Sequence, residues 1–166
     1  EKYLATASIR RDGSSAFGPE NRIGYFPSAS LGWVASKEDF FDFNLINFLK
    51  LRVSYGVNGN DRIDPFQFAG TISLNNTYQF GSSDNQTIFY GAAPTQVANP
   101  FIRWERSEQF DVGLESKFFD NKLGFEIDYY RKVTDGLLIT DESTPVFAGN
   151  NPAIANIGEI VNSGIE

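Results

Sequence analysis

The stretch "LKLRVSYGVN" (Leu49–Asn58) alternates without a break. Leu49, Leu51, Val53, Tyr55 and Val57 fall on one side of an extended strand. Lys50, Arg52, Ser54, Gly56 and Asn58 fall on the other, because strand side chains alternate faces with period two. "QFDVGLESKF" repeats the pattern: Phe110, Val112, Leu114 and Phe118 oppose Gln109, Asp111, Gly113, Glu115 and Lys117. Beyond the turn-like Asp120-Asn121-Lys122, Leu123, Phe125, Ile127 and Tyr129 oppose Gly124, Glu126, Asp128 and Tyr130. Weaker alternation covers Tyr3–Arg10 and Tyr25–Ala35, where Ala29, Leu31 and Trp33 oppose Ser28, Ser30 and Gly32. A last strand is expected from near Ile157, giving six principal strands.

The connections alternate in length. Phe118 passes to Leu123 through a tight turn, and the Ala35–Phe48 link is moderate. "RDGSSAFGPENRIG" (Arg11–Gly24), Gly59–Arg103 and Asp141–Asn156 are larger loops rich in Gly, Asn and Pro. Within Gly59–Arg103, "FQFAGTISL" and "QTIFYG" are expected as short strands projecting from the loop. The fold class that follows is all-β: an antiparallel up-and-down meander with one decorated end. "FFD" occurs at Phe40–Asp42 and again at Phe118–Asp120, both at the short-connection end.

Alternation alone leaves two environments for the apolar face. In a soluble sandwich it meets a second sheet. In an outer-membrane barrel it meets lipid, and the polar face lines a wet or plugged lumen. Three features favour the barrel. The alternating spans run about 9 residues, the length of a tilted membrane strand, rather than the 5–6 of common globular strands. Aromatics gather at strand ends (Phe40, Phe41, Phe43, Phe48, Phe118, Phe119), as an interfacial girdle requires. Charge sits well inside the strands on the polar face, at Lys50, Arg52, Asp111, Glu115, Glu126 and Asp128.

Composition then narrows function. The 166 residues carry 14 basic and 21 acidic side chains, a net charge of −7, so no basic stripe exists to meet nucleic acid. With no Cys there is no disulfide framework and no thiolate metal site; with no His there is no Ser-His or Cys-His nucleophile and no His-ligated zinc. Sixteen Phe, seven Tyr and two Trp against no Met favour strands and stacked surfaces. No run approaches the roughly 18 apolar residues of a membrane helix. Glu1-Lys2-Tyr3 leads directly into strand-like sequence, without a secretory signal.

Four blocks in order carry a family resemblance. "YLATASIRRDGSSAFGPENRIGYFPSASLGWVASKEDFF", "LKLRVSYGVNGN", "NPFIRWERSEQFDVGLESKFFDNKLGFEIDYYRKVTDGLL" and the closing "NIGEIVNSGIE" resemble the barrel of SusC/RagA-type TonB-dependent outer-membrane receptors. Such receptors are large barrels of about 22 strands with an N-terminal plug. The resemblance implies a place in the bacterial outer membrane and contact with the lipid bilayer. It also implies uptake of a bulky nutrient, a glycan or a peptide, powered through TonB, with a SusD-like surface lipoprotein as partner. Short turns would be periplasmic and long loops extracellular, with Leu123, Phe125, Ile127 and Tyr129 facing lipid. The sequence lacks the plug, the TonB box and the remaining strands, and six strands cannot close such a barrel. Residues 1–166 are therefore expected to be a partial β-barrel segment. A soluble carbohydrate-binding β-sandwich module is the alternative.

Candidate chemistry is sparse. "NGNDRID" (Asn58–Asp64) lacks the spacing and terminal Glu of a calcium loop, so a solvated turn is expected and no metal site or cofactor is. Glu105 with Glu108, and Asp141 with Glu142, could in principle serve glycoside hydrolysis. Their place beside loop ends fits a charged rim instead, and no catalytic role is expected. Asn75-Asn76-Thr77 and Asn85-Gln86-Thr87 fit a glycosylation sequon, without meaning for a bacterial barrel. Tyr78, Phe80, Phe89 and Tyr90, in the longest loop, are the candidate contacts. Their rings can stack on sugars or peptide side chains, pack the loop's own hairpin, or meet the lipoprotein.

Overall fold

The computed structural model describes residues 1–43, 45–82, 85–143, 149 and 151–166. The alternating segments become long strands: β1 (Tyr3–Gly13), β2 (Ile23–Val34), β3 (Ile46–Asn60), β4 (Ile72–Ser82), β5 (Asn85–Pro94), β6 (Glu105–Phe118) and β7 (Leu123–Asp135). Three shorter ones follow, β8 (Leu138–Thr140), β9 (Ile154–Asn156) and β10 (Glu159–Ile165). A single 3-10 turn, Ala35–Lys37, follows β2. Strands β1, β2, β3, β6, β7 and β10 form one six-stranded sheet in that order, every pair antiparallel. β4 pairs with β5 and β8 with β9 as separate two-stranded ribbons.

The order is the expected meander. Short connections (35–45 and 119–122) lie at one end of the sheet, and the long ones (14–22, 61–104 and 136–158) at the other. The tight turn after β6 carries three successive left-handed residues, Phe119, Asp120 and Asn121, with φ of 53°, 56° and 65°. It is tied to the start of β3: Asp120 N–H donates to Asn47 Oδ1 at 2.8 Å, and Phe119 N–H to the Leu45 carbonyl at 3.3 Å. Two local expectations change. "FQFAGTISL" is strand only from Ile72, because Phe66–Ala69 closes a turn in which Ala69 N–H donates to the Phe66 carbonyl. The short β8–β9 ribbon arises in the Asp141–Asn156 region and just before it, of which 144–148 and 150 lie outside the described residues.

Register decides the faces. Across the sheet Ala29, Tyr55, Phe110 and Arg131 are aligned, as are Leu31, Val53, Val112 and Tyr129, and Trp33, Leu51, Leu114 and Ile127. Arg131 apart, these rows make an apolar face that no second sheet covers among the described residues. Leu31 stays 64% exposed and Phe125 51%. The buried apolar residues, Phe17, Phe26, Val34, Ala35, Val57 and Ile102, sit at the two ends of the strands and in the loops instead of between two sheets. A sandwich core is thus lacking where a sandwich would need one. The strands of 11 to 15 residues from β1 to β3 also exceed ordinary globular lengths and suffice to cross a hydrocarbon layer at a tilt. The architecture is a sheet cut from a barrel wall.

Candidate functional site

The polar face is built around one row of the sheet. Gly32, Arg52, Gly113 and Asp128 are successive register partners from β2 to β7. Arg52 and Asp128 therefore stand two strands apart with only a glycine between them. A methyl group on Gly113 would overlap both Asp128 Oδ1 and the Arg52 side chain. The missing side chain lets the guanidinium reach across: its Nε donates to Asp128 Oδ1 at 3.1 Å and an Nη to Glu126 Oε1 at 2.6 Å, with a second bond to Asp128 Oδ2. One arginine thus straps β3 to β7 over β6. Beside it Asp111 accepts from Ser54 Oγ (3.1 Å) and from Gln109 Nε2 (2.8 Å). A groove of about 800 Å³ runs along this face, with Lys50, Arg52, Asp111, Asp128, Tyr130 and Lys132 among its walls. Interleaved cations, carboxylates and hydroxyls suit a water-filled or polar-filled interior, and nothing in the row assembles a nucleophile with a base.

At the loop-bearing end the polar face closes over aromatics. Phe26 points to that face, and its ring fills the space left by Gly24 and Gly59, where any Cβ would collide with it. Trp104 meets Phe26 edge-on at 5.4 Å and Phe17 at 5.3 Å. Above this plug of rings the long connections are laced together. Asn156 Oδ1 accepts from Arg103 N–H (2.8 Å), while its Nδ2 donates to the carbonyls of Arg103 and Gly136. Asn99 Nδ2 donates to the Ile154 carbonyl at 2.8 Å, and Asn151 N–H to the Thr95 carbonyl at 2.9 Å. Glu105 joins the same knot, accepting from Asn60 Nδ2 and from Leu138 N–H. These asparagines carry no pattern of their own, so periodicity could not single them out.

The β4–β5 ribbon sorts the four candidate aromatics. Tyr78 is the register partner of Phe89, and Phe80 of Thr87. Tyr78, Phe80 and Phe89 consequently share one face, with Tyr78–Phe80 at 5.3 Å, Phe80–Phe89 at 5.8 Å and Tyr78 stacked on Phe89 at 6.2 Å. Gly91 makes room for the Tyr78 ring. Tyr90 pairs with Thr77 and falls on the opposite face, beside Ile88 by register and 77% exposed. The sequence grouped four rings; the ribbon brings three together and sets the fourth apart. Both faces remain open to solvent.

The first carboxylate pair comes apart, and the second is tuned against acid chemistry at Asp141. Glu105 and Glu108 are three residues apart on a strand and so face opposite ways: Glu105 joins the loop knot, and Glu108 accepts from Tyr55 Oη on the apolar side at 3.0 Å. Asp141 is held below the usual carboxylate range by the Ser143 hydroxyl and by Ser143 N–H, the wrong direction for a general acid. The short end has its own node, which the sequence did not flag. Glu38 accepts from Tyr3 Oη (2.7 Å), Trp33 Nε1 (3.1 Å) and Lys2 Nζ (3.2 Å). The Tyr3 and Trp33 hydrogen bonds, then Lys2, hold its carboxyl below the ordinary glutamate range. Phe40 lies 6.4 Å from Trp33, and Phe41 meets Phe43 edge-on at 5.2 Å, so the aromatics do gather at one level beside this node.

Comparison with known proteins agrees with this geometry. The family described as "TonB dependent receptor-like, beta-barrel" matches residues 1–166. TonB-dependent receptor P39 of Formosa agariphila is 44% identical over 99% of this chain, which corresponds to 15% of the relative. TonB-dependent receptor SusC of Bacteroides thetaiotaomicron is 35% identical, again over 99% of this chain and 16% of the relative. Among solved structures, the RagAB peptide importer in its "closed-closed" state superposes with a TM-score of 0.82 at 29% identity, covering 99% of this chain and 17% of that one. The chain spans about one sixth of the proteins it matches. With the family matched over residues 1–166 and relatives up to 44% identical over nearly the whole chain, the chain belongs to the TonB-dependent receptor-like β-barrel family.

Proposed function

We propose that residues 1–166 form a partial barrel segment of a bacterial outer-membrane importer, with no catalytic role. The apolar rows face lipid, and the Arg52–Asp128–Glu126 strap faces the lumen. The carrying observation is the uncovered apolar face backed by a charged one across the same six strands. Likeness to SusC and to the RagAB peptide importer supports a bulky nutrient, glycan or peptide, as cargo. It also supports a SusD-like surface lipoprotein at the loop-bearing end and TonB as the source of drive. Tyr78, Phe80 and Phe89 form the patch that meets cargo or lipoprotein, and Tyr90 contributes from the other face of the ribbon.

Adjacent strand positions provide the test. Single cysteines at Val53→Cys and Ser54→Cys, in an otherwise cysteine-free full-length receptor, would carry a fluorophore to opposite faces of β3. Brominated lipids should quench the probe at 53 strongly and the probe at 54 weakly. Equal quenching would overturn the assignment of faces.

A further inference from the structure

The β1–β2 connection holds a basic cleft outside the strap and the aromatic ribbon. Ser14 N–H donates to the Arg22 carbonyl at 2.9 Å, closing the loop and bringing the end of β1 beside Arg22. A cavity of about 480 Å³ opens there, lined by Arg11, Asp12, Ser14, Ser15, Arg22 and Ile23 among others. Its charge is not what the sequence "RRD" suggests. Alternation sends Arg10 and Arg11 to opposite faces of β1. Arg10 engages the acid: its Nε lies 2.7 Å from Asp12 Oδ2, and its guanidinium sits 5.3 Å from the Phe26 ring. Arg11 stands on the apolar face opposite Tyr25. Among the described residues neither Arg11 nor Arg22 has a carboxylate within ion-pair distance.

The donors left over define the ligand. Arg22 spends only Nε, on the Phe17 carbonyl at 3.4 Å. Ser14 Oγ accepts from Ala16 N–H at 3.2 Å, so its own proton is available to donate. Two guanidinium forks and two serine hydroxyls supply about six donors, more than the roughly four lone-pair sites of a carboxylate accept. A phosphate monoester, with three terminal oxygens, can take them all. The cleft also has a direction: Ile9, Tyr25 and Pro27 continue the apolar face along the strands from Arg11 and Ile23. A ligand seated here has its anionic end on the arginines and room for an apolar body along the lipid-facing wall. We propose that Arg11, Arg22, Ser14 and Ser15 hold the phosphate of a lipid headgroup in the outer leaflet. This inference rests on the membrane orientation proposed above.

The test uses the full-length receptor in phosphatidylcholine nanodiscs with or without bisphosphorylated lipid A. Lipid retained after detergent extraction is measured by mass spectrometry, and heat-modifiable gel mobility reports barrel insertion separately. Arg11→Gln and the double variant Arg11→Gln/Arg22→Gln should insert normally. Loss of a charge-assisted contact should lower lipid A retention roughly tenfold per arginine. Arg62→Gln, at an exposed loop arginine outside the cleft, should leave retention unchanged, and wild type should not retain lipid A stripped of its phosphates. Undiminished retention in the double variant, or equal retention of the phosphate-free lipid, would overturn the site while leaving the import reading intact. Displacement of the lipid by inorganic phosphate at the lipid's own affinity would assign the cleft to a soluble anion and overturn the lipid source. A wild-type receptor that fails to insert would remove the import reading and this site with it.

Discussion

Leu51 and Arg52 are neighbours in β3 with opposite environments, and exchanging their chemistry isolates the membrane assignment. Leu51→Arg places a guanidinium on the apolar face, where its register partners are Trp33 and Leu114. Neither offers it a carboxylate. Near the bilayer midplane such a charge costs about 2–4 kcal/mol, falling toward the interfaces. That corresponds to a loss of roughly 30- to 1,000-fold in the folding equilibrium. Arg52→Leu removes the strap to Asp128 and Glu126 but leaves both acids in a polar groove. Arg52 is 46% exposed and Glu126 56%, so solvent screens the pair, and ion pairs of this kind are worth about 0–1 kcal/mol. The predicted ratio between the two substitutions is therefore at least several-fold in the equilibrium constant. The assay is urea-dependent folding of the full-length receptor into phosphatidylcholine vesicles, followed by heat-modifiable mobility. Equal costs would refute the reasoning, and a larger cost for Arg52→Leu would invert the wall.

Other outcomes follow from the same geometry. Val112→Arg should behave like Leu51→Arg, and Asp111→Asn, on the polar face, should be mild in the same vesicle assay. Gly113→Ala should displace the Arg52 guanidinium and lower stability by about 1 kcal/mol, an effect that should shrink in an Arg52→Leu background; an equal cost in both backgrounds would separate Gly113 from the strap. Because the carboxyl of Glu38 titrates below its ordinary value near 4.5, its stabilising effect should be complete above that pH and fade as the pH falls through the lowered value. Glu38→Gln should flatten this acid limb of the vesicle unfolding curve, and an unchanged limb would count against the node. In the ribbon, Tyr90→Ala should weaken cargo or lipoprotein binding several-fold by calorimetry with the barrel intact, since stacking is worth about 0.5–1.5 kcal/mol. Tyr78→Ala should also loosen the ribbon, because Phe80 and Phe89 lose their central ring, and protease nicking of 72–94 would report it. Unchanged affinity in both variants would reduce these rings to scaffold.

Local pattern by itself determined the strands, their faces and the meander. Each of those depends on residues one or two positions apart: the alternation of Leu49–Val57, the turn at Asp120-Asn121-Lys122, and the long and short spacing of polar connections. It also determined what chemistry was out of reach, through the missing Cys and His. What the tertiary structure decided depends on residues far apart in the chain that register brings together. Arg52 and Asp128 are 76 positions apart, and only the β3–β6–β7 alignment shows that Gly113 stands between them with no side chain to block the bond. Phe26 is a large apolar ring at a position that alternation gives to the polar face, and the structure shows how it is accommodated: Gly24 and Gly59 leave a hollow for it. Tyr90 parted from Tyr78, Phe80 and Phe89 because a ribbon has two faces and cross-strand pairing assigns each ring to one. The identity of the apolar face's solvent came last. Alternation is the same whether the greasy side meets a second sheet or lipid; strand length and aromatic placement lean toward a barrel, and the assembled sheet adds that no second sheet lies on that side among the described residues.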